Sequence, residues 1–149
     1  MNMYMEMKKK HQEEISSFPM EFACDEKQFK EAMKNLGLTE NDRDKVASLY
    51  GCGDIMRKED IPKLIALGEK HWAEMEEKIG EDKTGDGFIF DMFDTELANH
   101  EYGYTQDPSD AIEALGLTPE IIRGNKAMLH GFKRACKEQR DRYSNQMKG

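Results

Sequence analysis

Asp82, Thr84 and Asp86 place three oxygen donors on alternate residues, and Gly87 follows at once. Donors at that spacing converge where a chain coils tightly around a hard cation, and calcium takes about six to eight oxygens. The carbonyl of Phe88 adds a fourth candidate. A second chemistry, metal binding or proton transfer, is offered by Glu96 and His100, four residues apart on one helical face, with His71 and Glu101 as further members. A third needs no reaction. Glu69, Glu74, Glu76, Glu77, Asp91 and Asp94 crowd onto two successive helices. Dense carboxylates can occupy a cationic groove on a partner protein, because they substitute for phosphates.

The chain that must position these groups has 149 residues, 38% of them apolar and 35% charged, with only 4 prolines. That length and composition imply one helical domain over residues 1–149. No apolar run reaches the length of a membrane span, and charges occupy the start where a signal peptide needs an apolar stretch. Cys24, Cys52 and Cys136 are odd in number and scattered, which suits a reducing compartment. The expected location is the cytoplasm. Charge is unevenly spread: residues 59–120 carry 17 acidic against 4 basic groups, and residues 121–149 carry 8 basic against 2 acidic. The acidic middle repels nucleic acid, so direct contact with it is expected only through the basic C-terminal helix, about 126–144. Arg123, Lys126, Lys133, Arg134, Lys137, Arg140 and Arg142 are the candidates there, unless they fold back on the acidic middle.

The spacing predicts an all-α fold of six or seven helices. Tyr4, Met7, His11, Ile15 and Phe18 make one stripe over residues 3–17. Asp25 should cap a second helix that buries Phe29, Ala32, Met33 and Leu36 and stops at Gly37. Thr39 should cap a third, with Val46, Leu49 and Tyr50 inside. The longest runs over about 59–79, with Pro62 in its first turn, Ile61, Leu64, Ile65, Trp72, Met75 and Ile79 as its stripe, and a bend allowed at Gly68. A helix over 87–102 follows, then a short one near 109–115, a start signal at Thr118-Pro119-Glu120, and the basic final helix. The segment A-x-x-x-L-G-L-T occurs twice, at 32–39 and 111–118, through duplication or through convergent helix capping.

Residues 82–93 resemble the loop of the EF-hand family. Asp82, Thr84, Asp86, Gly87 and Ile89 match its pattern, while Phe93 stands where the family has its closing bidentate glutamate. Residues 48–59 resemble the other half of the motif, with Gly53, Ile55 and Glu59 in place and Ser48, Tyr50 and Cys52 at the ligand positions. The resemblance covers at most residues 40–102 and implies a central helix pair joined by a minimal two-stranded bridge between Ile55 and Ile89. Three readings stay open: a calcium site, a degenerate pair kept for its helix packing, and a turn in which Asp86 caps the next helix. A broader resemblance rests on "HQEEISSFPM", "GLTENDRDK" and "DGFIFDMFDTELANHEYGYT". These runs are similar to small uncharacterised proteins of phages and mobile elements of gut bacteria. It implies no catalytic residues, but a context in which small acidic proteins inhibit host nucleases or defence complexes. The resulting expectation is a non-enzymatic, acidic protein-binding module whose partner has a basic surface. The alternatives are a divalent-cation-responsive module and a small metal-dependent enzyme.

Overall fold

The computed structural model describes residues 2–148, and the fold over them is predominantly α-helical. Eight α-helices and a three-stranded antiparallel sheet lie among the described residues. They divide into two units. One joins the residues up to Lys10 with those from Glu74 onward, and the other is His11–Ala73. Helices α1 (Met3–Ser16) and α3 (Ile61–Glu81) contribute residues to both.

The His11–Ala73 unit is built on its sheet. Strand β3 (Asp54–Arg57) is central, with β1 (Glu21–Phe22) on one side and β2 (Val46–Ala47) on the other. Helix α2 (Glu26–Asn35) begins as expected: Asp25 accepts from Gln28 N at 2.7 Å. Its Phe29 and Ala32, with Leu36 just past its end, form a small core with Ile55 and Val46. The expected third helix does not form. Residues Glu40–Lys45 make only a 3-10 segment, in which Asp42 accepts from Thr39 N at 2.9 Å. The physical reason is the sequence ENDRDK, which has no apolar residue to bury and so no stripe to hold a longer helix. The first apolar side chain, Val46, is β-branched and enters β2, opposite Arg57. Leu49 and Tyr50, expected inside, are exposed.

The implied bridge is also corrected. Ile55 pairs with Glu21 across β1 and β3, and Ile89 lies within a helix. Helix α3 runs unbroken through Gly68, with Pro62 tolerated in its first turn. Leu64, His71, Met75 and Ile79 define its buried side, so Ile65 and Trp72 are exposed rather than core.

The other unit is organised around α4 (Phe88–Asn99), whose Phe88, Ile89, Met92, Phe93 and Leu97 are all buried. Glu101, in a left-handed conformation, separates it from α5 (Tyr102–Thr105), so the helix expected over 87–102 is two helices. Then follow α6 (Ser109–Ala114), α7 (Pro119–Arg123) and α8 (Lys126–Lys148). Thr118 caps α7 by accepting from Ile121 N at 3.2 Å. Helices α4 and α8 lie along each other, and Phe93 meets Phe132 edge to face, with 5.2 Å between ring centroids.

The repeated L-G-L-T is one device used once in each unit. Gly37 and Gly116 adopt φ of +76° and +70°, which glycine reaches without a Cβ penalty. Leu38 N then bonds Met33 O at 2.8 Å, and Leu117 N bonds Ile112 O at 3.1 Å. Gly37 N and Gly116 N each reach the carbonyl three residues back, at 2.9 Å. This is a Schellman stop followed directly by a threonine start.

Candidate functional site

The 82–89 segment is held by Asp82, with the acidic end of the loop turned outward. Asp82 Oδ1 accepts from Gly85 N at 2.9 Å and Thr84 Oγ1 at 3.3 Å. Its Oδ2 accepts from Gly87 N and Ile89 N, both at 3.0 Å. Burial acts to raise its carboxyl, and the donors from Ile89, Gly85, Gly87 and Thr84 outweigh that, so it stays below the usual carboxylate range. Asp82, not Asp86, therefore caps α4. Asp86 faces α8 instead, accepting from His130 Nε2 at 2.8 Å and Arg134 Nη1 at 3.0 Å. Arg134 also stacks over Phe90, 4.1 Å from its ring centroid. Phe88 is buried in the core. Of the four expected ligands, the structure brings Asp82 and Thr84 together and sends Asp86 elsewhere.

Glycine sets that geometry. Gly85 has φ +86°, and a Cβ placed on it would stand 2.0 Å from Ala127 O. Across from it, a Cβ on Gly131 would stand 2.6 Å from Gly85 O. Backbone meets backbone here, which brings Asp86 within reach of His130.

Glu96 and His100 do not converge. Glu96 is buried and accepts from Tyr4 Oη at 2.5 Å, Lys8 Nζ at 2.9 Å and Asn99 Nδ2 at 2.9 Å. Burial works against its ionised form, yet the bonds from Tyr4, Lys8 and Asn99 keep its carboxyl below the ordinary range. The same burial, with Glu96 beside it, pushes the Tyr4 hydroxyl far up. His100 Nδ1 reaches the Glu96 carbonyl at 2.8 Å, so its ring closes the end of α4. Glu101 is exposed. His71 belongs to a different group: it stacks on His11 with 3.8 Å between centroids, and its Nε2 lies 3.6 Å from Glu14 Oε1. Neither of those two buried atoms has a hydrogen-bond partner among the described residues.

The carboxylates expected to form one acidic face also separate. Asp91 accepts from Met3 N at 2.9 Å. Asp94 takes Gln139 Nε2 at 2.8 Å and Arg142 Nη1 at 3.1 Å. Glu74 is half-buried, beside a groove that Lys10 and Lys78 share. Glu69, Glu76 and Glu77 remain exposed on α3. No group of three or more His, Cys, Asp or Glu side chains among the described residues is arranged to hold a metal ion. No helix there is long and apolar enough to cross a membrane.

The basic helix sorts itself in the same way. Arg134 and Arg142 are taken up by Asp86 and Asp94, and Arg123 lies 3.3 Å from Glu120. Lys133, Lys137 and Arg140 share a cavity with Tyr102 and Cys136.

Residues 3–138 match the model of a family of unknown function, DUF7659. The chain belongs to that family. No curated protein and no solved structure matches it.

Two features of this DUF7659 member were missed by reasoning from sequence. One is Asp54, buried and bonded by Ser48 Oγ at 2.6 Å, Leu49 N at 2.8 Å, Tyr50 N at 3.1 Å and Cys52 N at 3.3 Å. Its signal was present as a lone acid after "YGCG", a loop whose backbone donors need an acceptor. The other is the Tyr102–Cys136 cavity, which no local spacing announces because its two sides lie far apart in the chain.

Proposed function

We propose that the protein is a non-enzymatic binding module that offers exposed carboxylates of α3 to a basic surface on a partner protein. One observation carries the reading. Glu76 and Glu77 have no hydrogen bond or ion pair among the described residues, whereas Asp82, Asp86, Asp91, Asp94 and Glu96 of the same unit are engaged internally. Unengaged charges on a helix keep their full field for a partner and speed encounter with it. The finer reading, an inhibitor of a host nucleic-acid or defence enzyme encoded by a phage or mobile element, rests on the sequence resemblance and on carboxylates standing in for phosphates.

Affinity capture with the full chain tests this. Glu76→Lys and Glu77→Lys together should lower recovery of a nucleic-acid-binding enzyme at least tenfold, with Tm unchanged, and raised salt should do the same to the unmodified protein. Recovery unaffected by the reversal would reduce these carboxylates to ordinary solvation.

The divalent-cation reading has one supporting observation: Thr84 already touches Asp82, and Asp86 is exposed enough to exchange partners. An ion would have to draw Asp86 away from His130 and Arg134. We expect millimolar calcium to leave the amide NMR signals of residues 82–94 unmoved, with magnesium as control. Saturable shifts confined to that segment would favour this reading over the first.

A further inference from the structure

We propose that the cavity where α5 and the turn at Pro108 meet α8 binds a small phosphorylated ligand. This is separate from the α3 carboxylates and stands without them. The cavity measures about 420 Å³, room for a ligand the size of a phosphomonoester with an attached ring. Lys133, Lys137 and Arg140 line it, at i, i+4 and i+7 of α8, so one helical face carries all three.

What distinguishes these cations is how little the fold asks of them. Lys133 has no hydrogen bond or ion pair among the described residues. Arg140 donates one N–H to Tyr102 Oη at 3.0 Å, which fixes the guanidinium beside the cavity and leaves its other donors for an anion. Lys137 is held by Asp141 at 2.8 Å, a pair exposed on both sides that a phosphate can replace at little cost. Asp107, next to the lining residue Pro108, accepts from Ser109 N at 2.9 Å. Three cations against the two carboxylates Asp141 and Asp107 leave a net positive charge that suits an anion.

The remaining walls select further. Phe132 and Pro108 are apolar and suit the carbon portion of a phosphate ester. Cys136 is buried, and burial pushes its thiol up against the opposing pull of Tyr102 and Arg140, so it is a neutral wall. A long polyanion is the poorer match. Arg134 and Arg142, which would extend a phosphate track along α8, are paired with Asp86 and Asp94.

The test is an amide NMR titration of the full chain with inorganic phosphate and with phenyl phosphate, at ionic strength held constant with sodium chloride. Saturable shifts are expected at Tyr102, Lys133, Cys136 and Arg140, with phenyl phosphate binding about tenfold tighter than phosphate. Lys133→Gln should weaken phenyl phosphate about fivefold without changing Tm, since the side chain has no role in the fold. Arg140→Gln should weaken it more, and if that variant unfolds, Lys133→Gln still decides. Shifts that do not saturate, or that spread equally to Lys8, Lys9 and Lys10, would overturn the proposal. So would a single-stranded oligonucleotide that binds more tightly than phenyl phosphate and moves Lys126 and Arg142, which would assign the face to nucleic acid.

Discussion

Replacing Gly131 with alanine is expected to destabilise the protein by about 3 kcal/mol, roughly 10 °C in Tm for a chain of this size. Helix propensity alone gives the opposite sign, since alanine inside a helix is favoured over glycine by about 1 kcal/mol. Packing decides it. The new Cβ would meet Gly85 O at 2.6 Å and Ile89 Cγ2 at 2.6 Å, and the first of these is backbone that cannot rotate away. Gly85→Ala should cost at least as much, because the clash with Ala127 O is joined by a left-handed φ of +86°. Gly68 provides the control. It also lies within a helix, but a Cβ there meets nothing within 4 Å, so Gly68→Ala should stabilise by about 1 kcal/mol. Thermal unfolding of the three variants checks the set. A Gly131→Ala protein as stable as the parent would mean that the loop and α8 are not in backbone contact.

Asp54→Ala is expected to cost a similar amount, about 3 kcal/mol, by leaving several backbone donors of the 48–52 loop without their acceptor. Asp54→Asn should recover less than half of this, because its amide nitrogen would face donors. The pH dependence has a definite sign. Burial alone would raise the Asp54 carboxyl, but the bonds from Ser48, Tyr50, Leu49 and Cys52 outweigh it and hold the carboxyl well below its usual value. A group depressed in the folded state contributes its full stabilisation above the unfolded pKa, near 4, and loses it as pH falls toward the folded value. Asp82 and Glu96 shift in the same direction. Urea unfolding below about pH 4 should therefore show steeply falling stability in the parent and a shallower slope in Asp54→Ala. Equal slopes would show that the Asp54 cage does not hold in solution.

Local chemistry was legible where a few neighbouring residues sufficed. Asp25 and Thr118 were readable as starts and Gly37 as a stop, because capping is decided within about four residues. The stripe of Ile89, Met92, Phe93 and Leu97 was readable for the same kind of reason, since helical periodicity places those side chains on one face. The same periodicity misled at Ile65 and Trp72. It shows that apolar residues share a side of α3, but not that another element covers them.

Charge was the least legible property. As sequence, Asp82 and Asp86 read as loop ligands, Asp91 and Asp94 as one outward acidic face, and Glu96 as a partner of His100. The tertiary structure gives each a separate use: a cap for α4, an anchor for α8, a tie to Met3, a tie to Gln139 and Arg142, and a buried hub for Tyr4 and Lys8. Most of these partners lie more than 40 residues away in the chain, and a carboxylate's partner is chosen by distance in space. What the sequence determined by itself was therefore the helical class, most caps and the apolar side of α4. Only the tertiary structure decided which charges stay unengaged, because that depends on which others the fold has already neutralised.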